Sequence, residues 1–264
     1  MQLVPQQRRL PILIVVLGLA GASYLYANPG LIPFFGGTGN AAPSANAQKL
    51  IDNSATLKLD EPTKAAIRKY FDGVSVEPKE NDLNYAIQLD HSIGRPQMAR
   101  GDTRAALATY QKLLAISYLQ GSLMGIGIGM QMMGTIIEQT GDKVGSLYAT
   151  FLAYKVAEAM NNKEELGVVE LTFARKLWRV EKGMALPWLL RARESLKNSR
   201  YKEDYIRLLP NLADGLKLLR GEREQASALV EEAWTLSQSL GNAPSHRMAK
   251  WETGMEYAAL LQER

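Results

Sequence analysis

The residues that could carry out catalysis are few and scattered in this chain. The sequence has no cysteine and only two histidines, His91 and His246, which lie far apart. Disulfides, zinc thiolates and thiol nucleophiles are therefore excluded, and a histidine-based metal cluster is not expected. The adjacent carboxylates Glu164-Glu165 and Glu231-Glu232 fall on predicted helices, where neighbouring residues point in different directions. We therefore predict that the protein is not an enzyme and that it uses no metal and no cofactor.

A stretch rich in glycine and methionine, GSLMGIGIGMQMMGTII at residues 121–137, raises the question of a phosphate-binding loop or a membrane span. A dinucleotide-binding loop needs Gly-x-Gly-x-x-Gly between a strand and a helix, and the glycines here do not have that spacing. Residues 113–137 hold no charge, which allows a second membrane span. Five glycines and several polar side chains nevertheless make insertion of that span unfavourable.

The third interpretation of this stretch is a seam between packed helices. Gly121, Gly125 and Gly129 lie four residues apart, so a helix would place them on one face and let a neighbouring backbone come close. The methionines are flexible side chains that fill gaps in a core. We favour this interpretation.

A basic run at residues 175–202 is the second candidate for function. It holds nine basic residues against Glu181 and Glu194 only. If they cluster on adjacent helices, these cations could bind an acidic peptide or anionic lipid head groups. The alternative is an ordinary solvated helix face. The candidate contacts in this run are Arg175, Arg179, Arg191 and Arg193.

The composition is that of a globular protein built from helices. Of the 264 residues, 46% are hydrophobic and 22% are charged, and aromatic residues are few at 8%. Alanine, leucine, methionine and glycine are plentiful, which favours helices packed on helices. The net charge of +4 is too small to indicate nucleic acid by itself, and we expect none as a partner.

The first 48 residues differ from the remainder of the chain. Residues 1–9 include Arg8 and Arg9, and residues 10–27 follow without a charge. As a helix, those eighteen residues would be about 27 Å long, close to a hydrocarbon core of about 30 Å. We expect a single-pass inner-membrane anchor, with residues 1–9 in the cytoplasm and the body outside it, in the periplasm. The alternative is a signal peptide cleaved near Ala20-Gly21-Ala22, which would release the body into the periplasm. Residues 28–48 read as a flexible linker.

The body of the chain shows an internal repeat. Ile93-Gly94 precedes Gly101-Asp102 by seven residues, and Met133-Gly134 precedes Gly141-Asp142 by seven, so both pairs recur forty residues apart. Gly221 opens a similar helix, and Gly183 is a weaker third start. A spacing of 38–42 residues, each unit a pair of helices, predicts an all-α fold of the α-solenoid type.

Two segments flank the repeats in this prediction. Residues 49–82 form an N-terminal helical cap, and residues 83–244 are the repeats. Residues 245–264 form a C-terminal capping helix, with Trp251, Met255 and Ala258 on one face and charged residues opposite.

The residues of the repeats resemble the tetratricopeptide-repeat family. The resemblance covers roughly Leu83 to Leu240. It rests on the glycines at the helix turns and on the residues at matching offsets, which are Ala106, Tyr110 and Leu113 after Gly101 and Ala226, Val230 and Ala233 after Gly221. The spacing exceeds the family's period of about 34 residues, and no unit has the family's leading tryptophan. The resemblance implies that the first helix of each pair lines a concave groove. It then assigns partner binding to Gln88, His91, Arg95, Gln131, Thr135, Glu138 and Asn211.

These observations lead to one leading hypothesis and two alternatives. We expect a membrane-anchored scaffold outside the cytoplasm that holds partner proteins during assembly of an envelope, secretion or pilus-type complex. The first alternative is a permanent accessory subunit of a membrane complex, with the Gly/Met stretch buried against another chain. The second is a helical enzyme that acts on the cell wall, for which the sequence offers no catalytic acid.

Overall fold

The computed structural model describes residue 50 and residues 52–263 of the chain. Within these residues the fold is helical and contains no strand. The predicted cytoplasmic residues 1–9, the span at 10–27 and the linker at 28–48 lie outside the described residues. The described residues divide into two compact units, the first ending at Met160 and the second beginning at Asn161.

Helices in the described residues are arranged as consecutive pairs. In chain order the α-helices are α1 (Glu61–Arg68), α2 (Leu83–Gln88), α3 (Arg95–Ala99), α4 (Thr103–Leu119), α5 (Leu123–Gln139), α6 (Lys143–Met160), α7 (Lys163–Trp178), α8 (Lys182–Leu196), α9 (Lys202–Arg220), α10 (Arg223–Gln238) and α11 (Pro244–Glu263). A π-helical turn, Leu89–Gly94, joins α2 to α3 and makes them one long first helix.

The repeat predicted from the sequence is present. The first helices of the four pairs start at Leu83, Leu123, Lys163 and Lys202, at intervals of 39 or 40 residues. In the first unit, the helix from α2 to α3 packs on α4, and α5 packs on α4 and α6. In the second unit, α7 packs on α8, α9 packs on α8 and α10, and α11 covers α9 and α10. Adjacent helices therefore pack in sequence order within each unit, as in a helical repeat.

The turns between helices follow a shorter rhythm than the pairs. A residue with left-handed backbone stands at every twentieth position from Gly101 to Asn161 and again at Gly221; these residues are Gly101, Gly121, Gly141, Asn161 and Gly221, with φ between 52° and 90°. A left-handed residue ends one helix and turns the chain toward the next, and glycine adopts this conformation without steric cost.

Each of the first four left-handed residues is followed by a side chain that caps the next helix. Asp102, Ser122, Asp142 and Asn162 each accept a hydrogen bond from a backbone N–H in the first turn, at donor–acceptor distances of 2.8–3.2 Å. These caps satisfy N–H groups that have no partner within the helix.

Gly183 does not act as a turn residue, in contrast to the sequence prediction. It is the second residue of α8, and the helix starts from Glu181, whose φ is −148°. Tyr201, which precedes α9, has a φ of −82°. The left-handed turn is therefore absent before α8 and α9, which explains why the sequence pattern is weakest there.

The Gly/Met stretch is a seam between helices of this chain. The charge-free residues 113–137 belong to two helices, α4 and α5, separated by a turn at Gly121, so they do not form one long span. A side chain on Gly125 would collide with Ser117 Oγ, and a Cβ on Gly129 would lie 2.6 Å from Leu114 Cδ2. Bare backbone at both positions is therefore what lets α5 lie against α4.

Two details of the predicted seam need correction. Gly121 does not share the helical face of Gly125 and Gly129, because it is the left-handed residue before α5. The methionines also divide: Met130 and Met133 are buried, whereas Met124 is 55% exposed.

A second pair of close contacts recurs with the forty-residue period. A Cβ on Gly94 would lie 2.7 Å from the Tyr110 ring, and one on Gly134 would lie 2.6 Å from Thr150 Oγ1. Ser146 Oγ also donates a 2.7 Å hydrogen bond to the Gly134 carbonyl. The glycine seven residues before the turn thus lets the two helices of a pair approach closely.

The described part of the predicted N-terminal cap covers the end of α4. Asp60 caps α1 by accepting a hydrogen bond from Thr63 N, and Asn53 N donates to the Leu119 carbonyl. Gln120 Nε2 donates to the Asn81 carbonyl at 2.7 Å. The segment therefore satisfies backbone groups and holds the C-terminal end of α4 in place.

Among the described helices, none combines the length and the apolar character needed to cross a membrane.

The seam predicts a sharp difference between two glycines of α5. Gly134→Leu should lower the free energy of unfolding by roughly 1–3 kcal/mol, because its side chain would enter space occupied by Thr150 and the Ser146 carbonyl. The measurement is thermal or denaturant unfolding of the full chain in mild detergent.

Gly127→Ala is the control, and it is compared with Gly134→Ala as well, so that both positions receive the same side chain. Gly127 lies on the same helix and is also buried, but its new Cβ would lie 3.6 Å from Val156 Cγ1, an ordinary contact. Because alanine favours helix by about 1 kcal/mol over glycine, this variant should be neutral or more stable. Equal melting temperatures for Gly134→Leu and the unmodified chain would contradict the seam.

Candidate interaction surfaces

The first predicted groove residues lie together on the surface of the first long helix. Gln88, His91 and Arg95 are all exposed. On the same helix two large apolar side chains are also exposed, Leu83 at 41% and Ile87 at 56%. We call these five residues the first-helix surface. It combines apolar side chains with hydrogen-bonding groups, a mixture that is typical of protein–protein contacts.

A buried carboxylate behind this surface fixes the position of Arg95. Asp90 is 2% exposed and lies in the π-helical turn. Its Oδ2 accepts from Arg95 Nε at 3.0 Å and lies 2.9 Å from Arg95 Nη2, while its Oδ1 accepts from the Tyr110 hydroxyl at 2.9 Å. A buried carboxylate is stable only when it is paired and hydrogen-bonded in this way.

Asp90 also links the first-helix surface to the helix seam. Tyr110 is the side chain whose ring lies against Gly94. Burial, together with the hydrogen bond to Asp90, raises the pKa of Tyr110, so its hydroxyl remains a donor. The sequence analysis did not identify Asp90, because nothing in a single sequence marks which carboxylate of a helix is turned inward.

The second predicted set, Gln131, Thr135 and Glu138, lies along one side of α5. All three residues are half-buried. Thr135 Oγ1 donates to the Gln131 carbonyl at 3.2 Å, which uses part of its hydrogen-bonding capacity within the helix. Asn211, on α9, similarly donates to the Arg207 carbonyl at 2.6 Å and is half-buried. The first set therefore offers the most exposed polar groups among the predicted groove residues.

The basic run is paired with carboxylates of neighbouring helices. Arg191 Nη2 lies 2.8 Å from the Glu170 carboxylate, and Arg200 Nη2 lies 2.9 Å from that of Glu165. Arg193 Nη2 lies 4.0 Å from the Glu232 carboxylate. The counter-charges come from α7 and α10, so the cations of the run are partly neutralised within the second unit.

The two arginines predicted on α7 differ in their surroundings. Arg175 is half-buried, and its Nη2 donates to the Arg207 carbonyl at 3.1 Å. Burial lowers the pKa of Arg175, and the nearby Asp204 carboxylate opposes that effect. Arg179 is exposed. The structure therefore does not gather the four predicted arginines into one exposed patch.

Glu170 anchors the pairing between α7 and α8. Its side chain is 1% exposed, and its Oε2 accepts a hydrogen bond from Ser195 Oγ at 3.2 Å. The guanidinium of Arg191 also lies 5.0 Å from the centre of the Trp188 ring. Trp188 is buried and packs edge-on against Phe173 in the core.

A cavity of about 450 Å³ lies at one end of the second unit. Its lining comes from the start of α9 and from the connection between α10 and α11, and consists of Arg200, Tyr201, Lys202, Glu203, Asp204, Ser239, Leu240, Gly241 and His246. His246 Nε2 lies 2.7 Å from the Glu203 carboxylate and so ties α11 to α9. Burial raises the pKa of Asp204, while Arg175 and Arg207 oppose the shift. Charges of both signs line the cavity, and Glu203 pairs with His246 there.

The C-terminal helix shows its apolar residues to solvent. Trp251 is 64% exposed, Met255 is 57% exposed and Ala258 is also exposed. The sequence grouped these three on one face of a capping helix, and they do share a face, but that face points outward. The inward side instead carries Ala249 and Thr253, which are buried.

Small residues on the inward side explain this orientation. Gly254 brings the helix close to Trp234, since a Cβ on it would lie 3.2 Å from that ring. Tyr257 stacks on Trp234 with ring centres 5.5 Å apart. The large aromatic residue of α10 thus takes the space that a large residue of α11 would need.

Within the described residues, no group of three or more His, Asp or Glu side chains is placed to hold a metal ion. No protein-family model, curated protein or solved structure matches this chain.

The Glu170–Arg191 pair yields a prediction about stability. Arg191→Ala should lower the free energy of unfolding by about 1–3 kcal/mol, because it removes a charged partner from a buried carboxylate; the exposed half of Arg191 keeps the cost below that of a fully buried pair. Chemical denaturation of the full chain in mild detergent measures this.

Glu194→Ala is the matched control, since Glu194 is an exposed charged residue of the same helix. It should change the free energy of unfolding by no more than about 0.5 kcal/mol. An Arg191→Ala chain as stable as the control would show that Arg191 is not needed to hold Glu170.

Proposed function

We propose that the protein is a helical-repeat scaffold that holds other proteins beside a membrane, outside the cytoplasm. In this proposal residues 10–27 anchor the chain and residues 28–48 connect the anchor to the repeats. The repeats act in the manner of tetratricopeptide repeats, as a binding surface rather than as an enzyme. The assemblies that such a scaffold would serve are envelope, secretion or pilus-type complexes.

The observation that carries the proposal is the first-helix surface. Arg95 is 54% exposed, yet its guanidinium is held by the buried carboxylate of Asp90. A partner that binds this guanidinium does not have to immobilise a flexible side chain, which lowers the entropic cost of association. The exposed Leu83 and Ile87 beside it supply apolar area. A fixed arginine next to apolar side chains is a favourable site for an apolar segment that carries a carboxylate or amide.

The packing of the repeats supports the same proposal. Gly94 brings the first long helix against Tyr110 on α4, and Tyr110 in turn bonds to Asp90. The surface therefore rests on a close-packed helix pair, and we expect it to keep its shape when a partner binds. This is the preorganisation that a scaffold requires.

The accessory-subunit alternative was based on burial of the Gly/Met stretch against another chain. In the structure, Gly125 and Gly129 lie against α4, and Met130 and Met133 are buried by helices of the same chain. We therefore favour the first-helix surface over the Gly/Met stretch as the place where partners bind.

The proposed partner surface can be tested by site-specific cross-linking. A photo-reactive amino acid at Ile87, in the full chain in its native membranes, should yield covalent adducts with other proteins that mass spectrometry identifies. The matched control is the same group at Thr235, which is exposed on α10. Recovery of only the uncross-linked chain from both variants would overturn the scaffold proposal.

The proposed location can be tested independently, because the chain has no cysteine. A single Gln225→Cys change on α10 should react with a membrane-impermeant maleimide in intact cells, or in spheroplasts if an outer membrane blocks access. A Gln6→Cys variant should react only after lysis. Labelling of Gln225→Cys only after lysis would contradict an extracytoplasmic body.

A further inference from the structure

The outward face of α11 carries a regular row of uncharged side chains that nothing in the described chain covers. Met248, Trp251, Met255 and Ala258 follow one another at intervals of three, four and three residues, and we call them the outer row. Met248 is 51% exposed, so the row is open along its length. Leu261, beside its C-terminal end, is 52% exposed.

The outer row has the spacing of a coiled-coil seam. Intervals of three and four residues correspond to positions a and d of a heptad, so Met248 and Met255 take position a, and Trp251 and Ala258 take position d. The helix is already formed and packed on α9 and α10. An isolated coiled coil of two heptads is only marginally stable, because pairing must also offset the free-energy cost of forming the helices. In this chain the helix is already formed, so pairing through the outer row does not carry that cost.

The charges that flank the outer row are complementary to a second copy of the same helix. Arg247 precedes the row at position g, and Glu252 follows Trp251 at position e; both are exposed. In a parallel pair of helices, position g of one helix faces position e five residues further along the other. Arg247 of each copy would then face Glu252 of the other, and two-fold symmetry makes this contact twice.

The antiparallel arrangement lacks this complementarity. In that arrangement position e faces position e, so the two Glu252 carboxylates would approach each other and repel. Glu252 is also held in place, since its carboxylate lies 3.1 Å from Arg207 Nε. The charges beside the outer row therefore favour a second copy of α11 as the partner, and they favour the parallel over the antiparallel orientation.

We propose that α11 pairs in parallel with α11 of a second copy of this chain, through the outer row. This goes beyond the proposed scaffold function, because it concerns a different surface. A dimer formed in this way would present two copies of the first-helix surface. A face covered in this way explains why the last helix of the repeat shows tryptophan and methionine outward, where a terminal helix normally presents polar residues.

Single cysteines test the register, because the natural chain has none to interfere. In the full chain in mild detergent, Ala258→Cys should form a disulfide-linked dimer under mild oxidation, since a parallel seam places position 258 opposite its own copy. Gln225→Cys, exposed on α10, is the control and should stay monomeric. In a mixture, Met248→Cys and Ala258→Cys chains should each link to themselves and not to one another.

Charge reversal tests the flanking contacts. Arg247→Glu should weaken dimerisation at least tenfold by sedimentation or light scattering, because it places two carboxylates opposite each other. The double variant Arg247→Glu with Glu252→Gln should recover much of the dimer, since it removes the facing carboxylate while leaving Arg207 an amide oxygen at position 252. Rescue would not be seen if the single variant acted by misfolding.

Three results would overturn the proposal. The first is a chain that stays monomeric at all concentrations and gives no more disulfide dimer with Ala258→Cys than with the control. The second is preferential disulfide formation between positions 248 and 258. The third is a photo-reactive group at position 251 that cross-links only to a different protein. The last two outcomes leave the scaffold proposal standing, and cross-linking at Ile87 remains its own test. If the chain dimerises but no other protein is cross-linked at Ile87, the scaffold proposal is wrong and the pairing of α11 is supported.

Discussion

The close approach of helix backbones at glycine is the constraint on which the first unit depends. At Gly94, Gly125, Gly129 and Gly134 a single added methyl group would overlap a neighbouring side chain. Each such glycine costs about 1 kcal/mol in helix propensity, so it persists only where the contact repays that cost. The contacts formed here are close-packed and include the hydrogen bond from Ser146 to the Gly134 carbonyl. They hold the helix pairs rigid, and the Tyr110–Asp90–Arg95 network extends that rigidity to the surface.

A Cβ on Gly167 of α7 would lie 2.7 Å from Ser195 Cβ on α8, so close glycine contacts also occur in the second unit. Its helices are joined by ion pairs across helices, such as Glu170 with Arg191, and by large aromatic contacts, such as Phe173 with Trp188. Left-handed turns are missing before α8 and α9, where Pro187 and Pro210 lie inside the helices instead. The repeat period is thus kept in the second unit although ion pairs and aromatic rings there add to the glycine contacts.

Much of the helical architecture was predictable from the sequence, because spacing of small residues and turn residues is a local property. The forty-residue period and the seam at Gly134 were confirmed. The twenty-residue rhythm was missed, since Ser122 and Asn161-Asn162 fulfil at their turns the roles that Gly and Asp fulfil elsewhere. The solvent exposure of Trp251 was not predictable. The face of α11 with small residues is buried because it can pack closely on its neighbours, and the sequence pattern does not show which of the two faces is buried. The pairing of Arg191 with Glu170 could not be predicted, because it depends on which helices are neighbours in the fold. The membrane anchor at residues 10–27 and the groove contacts stay predictions.

The turn spacing determines how a chain of this kind can change length during evolution. Duplication of forty residues adds a whole helix pair that begins with its own capping side chain and ends with its own left-handed residue. Insertion of a single residue within a helix rotates everything after it by about 100°, which would turn Gly129 or Gly134 away from the helix it must touch. Gain and loss of complete pairs are therefore tolerated far better than small insertions, and relatives with more or fewer pairs would keep the same turns.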